Sequence, residues 1–217
     1  MVKRSAKKRK VKKPSKSKKK LTPKKKKDYQ DEILKKFFLV LGGIFILIFL
    51  VITFAHLSTN FNYEGVDFTI VNEENLLLYQ TSIPVIYKGD PVQYNFYLRN
   101  DPRDLKKDVD FVGEIQFAET MVLNSSNDFH CDGDGIISIA NVAQLYQILG
   151  VEVIQDSNAT CDSEGRYLFL NLNDANETSV VQTGPGCYEF SISNCEILEA
   201  TERYMVETFI EINENQI

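Results

Sequence analysis

The pattern of apolar and polar positions divides the chain before any other property is considered. Phe37 to Ala55 reads FFLVLGGIFILIFLVITFA, 19 residues without one charge. At 1.5 Å per residue, a helix of that length covers about 28 Å, close to the ~30 Å hydrocarbon core of a bilayer. A helix in a globular core is rarely apolar on every side for so long, so the stretch predicts one transmembrane helix. Before it, residues 1–30 are lysine runs broken by Pro14, Pro23 and serines. Such a segment buries too little to offset its ordering entropy, and a disordered lysine-rich tail is expected. A helix is expected from about Asp28, so that residues 31–56 form the span and its juxtamembrane start.

Beyond the span, residues 57–217 change period. From 62 to 127 the signals are strands. Gln93–Arg99 alternates, and so does Val109–Phe117, which places Val109, Phe111, Ile115 and Phe117 on one face. Turn chemistry separates them at Lys88-Gly-Asp-Pro91 and Asn100-Asp-Pro-Arg103. From 128 to 217 the texture is mixed α/β. Ile139, Val142, Ala143, Tyr146 and Leu149 recur at helical spacing, with Gly150 as the stop. Val151–Gln155 and Tyr167–Leu172 read as buried strands. The last element is the clearest. Ile197, Leu198, Thr201, Tyr204, Met205, Thr208, Phe209 and Ile212 form one stripe, with Glu199, Glu202, Arg203, Glu207 and Glu211 turned to solvent. Ser193 and Glu196 ahead of it have capping-box spacing. The expected fold is α+β: an N-terminal β layer, then an α/β unit with two helices.

Charge orients this arrangement. Met1–Lys36 carries 18 Lys and Arg against 3 acids, whereas His56–Ile217 carries 7 against 27. The positive-inside rule puts the N-terminus in the cytoplasm and the C-terminal domain outside a cell membrane. A cleaved signal peptide fits poorly, because the apolar run and its leader are both too long. Anionic lipid headgroups are the natural partner of the basic tail, at about 1 kcal/mol per nearby Lys or Arg. A pure topology signal stays open. Nucleic acid is disfavoured, since no aromatic residue interleaves the lysines before Tyr29.

All four cysteines (Cys131, Cys161, Cys187, Cys195) follow the span, an even count that reads as two disulfides in an oxidising compartment. Loop-closure entropy favours the local pairs Cys131–Cys161 and Cys187–Cys195. Separations of 30, 26 and 8 lack the close pairs of a zinc site. Asn124, Asn158 and Asn176 each head an N-x-S/T sequon, a glycan acceptor expected on an exposed loop.

Candidate chemistry is thin. Phe129-His-Cys-Asp-Gly-Asp-Gly135, preceded by Asp128, gathers acids but places no acid where a calcium loop needs its twelfth ligand. It reads as a Gly-rich loop whose Asp134 or Ser138 caps the following helix, with weak calcium binding left open. No cofactor is expected. There is no GxSxG elbow and no zincin helix, and beyond the span only His56 and His130 offer imidazole.

Tyr94–Arg103 (YNFYLRNDPR), Ile139–Val153 (IANVAQLYQILGVEV) and Gly186–Glu202 (GCYEFSISNCEILEATE) together resemble a group of uncharacterised single-span surface proteins in small-genome archaea. The resemblance covers most of the ectodomain and the tail-plus-anchor layout. It implies an envelope setting and carries over no catalytic residues. Two functions remain from these readings. The first is a non-enzymatic envelope protein whose ectodomain binds another surface protein or a glycan, as a free module or as a subunit of a membrane assembly. The second is a membrane-anchored hydrolase or carbohydrate-active enzyme that uses carboxylates.

Overall fold

The computed structural model describes residues 23–87, 89–125 and 129–215. They fall into two units, divided between Phe54 and Ala55. Helix α1 spans Pro23–Thr59. It starts at Pro23, earlier than the expected Asp28, because proline suits a first helical position whose N–H has no partner anyway. Within it Leu34–Phe54, 21 residues, is long and apolar enough to cross a membrane. The tail expected to be disordered lies outside the described residues up to position 22.

The second unit is mixed α+β with two sheets. Strands β1 (Asn60–Tyr63), β2 (Val66–Glu73), β3 (Leu76–Tyr87) and β4 (Asp90–Leu98) form an antiparallel meander. Its first two turns are two residues long, with positive φ at Glu64 (48°) and Gly65 (90°), then at Glu74 (52°) and Asn75 (72°). That left-handed pair is the twist a tight hairpin demands. Asp101 then caps a short helix α2 (Pro102–Asp108), its carboxylate accepting from Arg103 N at 2.9 Å. The Asn100–Arg103 turn is therefore also a helix start, with Pro102 in the first turn.

Strands β5 (Asp110–Val112), β6 (Thr120–Ser125), β7 (Glu152–Gln155), β8 (Leu168–Asp174), β9 (Ser179–Gly184) and β10 (Cys187–Ile192) form the second sheet, in the order β5-β9-β10-β8-β6-β7. Its β10-β8-β6-β7 section is parallel, and β9 pairs antiparallel with β10. The single strand expected over Val109–Phe117 is replaced by β5 and an irregular extended segment. Gly113, at φ +139°, breaks the ladder. The alternation still reports burial, since Val109 and Ile115 are buried and Glu114 and Gln116 exposed. Strand β7 is an edge strand rather than a buried one, and Ile154 is exposed.

Helix α3 (Asp134–Ile148) ends as its spacing predicts, with Gly150 at φ +86°. Its start differs. Gly133 holds the N-cap position without a side-chain cap, Asp134 pairs with Arg99, and the buried Ser138 hydroxyl has no hydrogen-bond partner among the described residues.

Helix α4 (Ile197–Asn215) joins the two sheets. Phe209 meets Phe96 of the meander with ring centroids 5.5 Å apart, while Tyr204 meets Tyr188 and Phe190 of β10 at 5.1 and 5.3 Å. The whole predicted stripe is buried. Glu202 and Arg203 do not face solvent as expected but are buried too, because α4 packs on elements of both sheets. The Ser193/Glu196 box is completed through a third residue. Ser193 N donates to the Thr178 hydroxyl at 3.1 Å, and that hydroxyl donates to the Glu196 carboxylate.

Candidate functional site

A concavity of the second unit follows from where one ladder stops. β2 pairs with β3 only from Thr69–Glu73 to Leu76–Gln80, although β2 begins at Val66 and β3 runs on to Tyr87. The strands part after Gln80, and the Thr81 hydroxyl donating to Asp67 O at 3.0 Å is the stitch at the fork. The opening is a groove of about 480 Å³. Buried Val66, Ile83, Phe209 and Ile212 supply apolar lining, while Asp67, Thr69, Gln80, Ser82 and Asn213 supply carboxylate, hydroxyl and amide groups. Asn213 holds the end of α4 against the first hairpin by donating to Gly65 O at 3.3 Å.

A shallower depression lies beside it, lined by Asn60, Phe61, Asn62, Asp67, Phe68 and Thr69. The two share Asp67 and Thr69. Their polar groups are held in place: Asn62 Nδ2 donates to Asp67 Oδ1 at 2.8 Å, the Thr69 hydroxyl to Asn60 Oδ1 at 2.7 Å, and the Ser82 hydroxyl to Asn95 Oδ1 at 2.7 Å.

A separate apolar groove of about 470 Å³ lies where β6 and β7 end, lined by Phe129, His130, Ile136, Ile139 and Ala143 among others. This is where the structure puts the described part of the Asp- and Gly-rich loop. Asp134 of that loop is committed to Arg99 at 2.9 Å, and among the described residues no three His, Cys, Asp or Glu side chains converge as a metal site. Asp128 lies outside the described residues.

The carboxyl most displaced toward neutrality is far from open water. Glu202 is fully buried, and its carboxylate accepts from Arg99 N at 2.7 Å and from Asn100 N and Nδ2, both at 2.9 Å. Burial pushes its pKa up from 4.5 to about 7, against the pull of those three donors. The arrangement clasps the end of β4 to α4 and leaves no room for a substrate. Arg203 beside it pairs with Glu207 and donates to Val109 O at 3.3 Å. Tyr146, Tyr188 and Tyr204 form a buried cluster whose hydroxyls burial raises above the ordinary phenol pKa. Tyr146 and Tyr204 are joined at 2.7 Å between oxygens.

All four cysteines are bonded, but not in the expected pairs. The bridges are Cys131–Cys195 and Cys161–Cys187. Cys187 opens β10 and Cys195 lies beyond its far end, and the strand alone carries the chain about 17 Å from Cys187 to Ile192, well beyond disulfide reach. Cys131–Cys195 instead ties the approach to α3 to the approach to α4. All of Cys131, Asp132, Asn194 and Cys195 have φ between 40° and 64°. Beside the second bridge, Arg166 hydrogen-bonds Asp162 and holds its carboxyl well below the usual range. Of the sequon asparagines, Asn158 and Asn176 are exposed outside regular structure, while Asn124 sits half-buried in β6 rather than on a loop. The side chain of His56 is outside the described residues.

The chain matches no protein-family profile, no curated protein and no solved structure. Sequence reasoning missed the groove, because a ladder that stops part-way along a strand has no periodic signature. The run Thr81-Ser82-Ile83-Pro84 was its one visible trace, a strand interior carrying two hydroxyls and a proline.

Proposed function

We propose that this is a membrane-anchored binding protein: one span, a cytoplasmic basic tail that meets anionic lipid, and an ectodomain that holds a surface protein or glycan in the β2–β3–α4 groove. The observation that carries this reading is the groove itself, a concavity with apolar lining, rigidly placed polar groups and a size within the ~300–1,000 Å³ of ligand pockets. Two disulfides and a compact ectodomain support an oxidising, extracytoplasmic setting. Glycans on Asn158 and Asn176 belong to the same proposal, as does the archaeal envelope. A hydrolase using carboxylates has no specific observation behind it, since the carboxyl displaced furthest toward neutrality is sealed in a backbone clasp.

The test blocks the groove without touching the core. Thr69 is half-buried on its polar wall, and Thr69→Arg should fill it. Labelled full-length protein in detergent is expected to bind isolated envelope sheets, and the variant to lose that binding with its melting curve unchanged. Equal binding by a folded variant would remove the groove from the account.

A further inference from the structure

We propose that the groove and the depression beside it bind a neutral oligosaccharide chain lying across β2. This deepens the binding reading above and rests on it.

The unspent hydrogen-bonding groups favour a polyol. Among the described residues, Gln80 gives neither end of its amide to a partner, and one oxygen of Asp67 is left over. A carboxylate that accepts and an amide that both donates and accepts, lining one groove, match vicinal hydroxyls, which do both. Tyr97 lies directly across the β3–β4 ladder from Gln80, on the same face, and the residue is 39% exposed. An exposed phenol beside amides offers a flat apolar surface to the C–H face of a sugar and a polar edge to its hydroxyls. Because the two depressions share Asp67 and Thr69, the surface is continuous and suits more than one residue of a chain.

Charge narrows the class. Among the described residues no Lys or Arg lines either depression, Arg103 coming nearest by stacking 4.1 Å from the centre of the Phe61 ring, and the ectodomain's excess of acids repels polyanions. An uncharged glycan meets no such barrier. The competing occupant, a peptide strand added to the unpaired edge of β3, is opposed by Pro84. It sits opposite Gln93 in the β3–β4 ladder and has no N–H to give β4, so its nitrogen belongs on the open side and blunts that edge.

The experiment uses the full chain in detergent against immobilised neutral oligosaccharides, uronic-acid and sulfated oligosaccharides of equal length, and extended proline-free peptides. Retention on neutral glycans alone is expected, weakened roughly tenfold or more by Gln80→Ala and abolished by Thr69→Arg, with melting curves unchanged. Gln80 is half-exposed, so its truncation leaves the core intact. Preference for the acidic glycans or the peptides overturns the proposal, as does neutral-glycan binding indifferent to Gln80→Ala. If Thr69→Arg abolishes envelope binding while no neutral glycan is retained, the saccharide is wrong and the groove reading survives. If Thr69→Arg alters neither, the groove reading fails with it.

Discussion

Glu202→Gln separates two opposing effects on one buried carboxyl. The substitution keeps the shape but turns one acceptor oxygen into an NH₂ donor. Of the three N–H groups on Glu202, one is then left facing a donor, and the bond from Arg99 N at 2.7 Å is the natural casualty. A buried N–H without an acceptor costs about 1–3 kcal/mol. That loss does not depend on pH.

The wild-type carboxyl adds a second effect that does. Burial holds its folded-state pKa at about 7 against an ordinary value of 4.5. The folded protein therefore holds the proton more tightly than the unfolded chain. The contribution is fully present below pH 4.5, and it is lost as pH rises through 7. The loss amounts to about 3 kcal/mol across that window. Glutamine does not titrate. Urea unfolding of residues 55–217, disulfides intact, should show wild type ahead by about 1–3 kcal/mol at pH 5, with the gap closing or reversing at pH 8. Taking the difference between variants cancels the titrating groups that do not interact with Glu202; Glu199, which burial also raises, is coupled to Glu202 by charge and helps to hold its pKa up. A gap that widens between pH 5 and pH 8 would show that the three donors outweigh desolvation and would refute the reasoning.

Phe209→Ala removes a buried ring packed on Phe96 and should cost about 3–5 kcal/mol, a fall in Tm on the order of 10 °C; a shift of one or two degrees would take this helix out of the core. Peptide mapping without reduction should recover Cys131 linked to Cys195 and Cys161 linked to Cys187, whereas a Cys187–Cys195 fragment would contradict the sheet order.

Elements whose burial is one-sided were legible in the sequence. The meander strand β4 and the stripe of α4 appear where alternation and helical spacing put them, and the long apolar stretch of α1 needed only its length and lack of charge. Glu202 and Arg203 were misread because a stripe-and-solvent pattern assumes one packed face, while α4 has neighbours from both sheets. The cysteine pairing failed on magnitude. Closing loops of 64 and 26 residues rather than 30 and 8 costs only about 2 kcal/mol more, because the penalty is logarithmic, and the strand geometry of β10 easily outweighs it. Helix α2, seven residues long, is too short for periodicity to reveal. The groove depends on where a ladder ends, a property of two strands together that neither carries alone.

Whether the groove can meet an extracytoplasmic ligand depends on which side of a membrane the disulfide-bonded unit lies. Protease added to intact cells, followed by probes for an N-terminal and a C-terminal tag, measures this directly. Loss of the C-terminal tag with a protected fragment that keeps the lysine tail and α1 is the predicted result. Digestion of the N-terminal tag while the Cys131–Cys195 unit survives would invert the topology and place the groove in the cytoplasm.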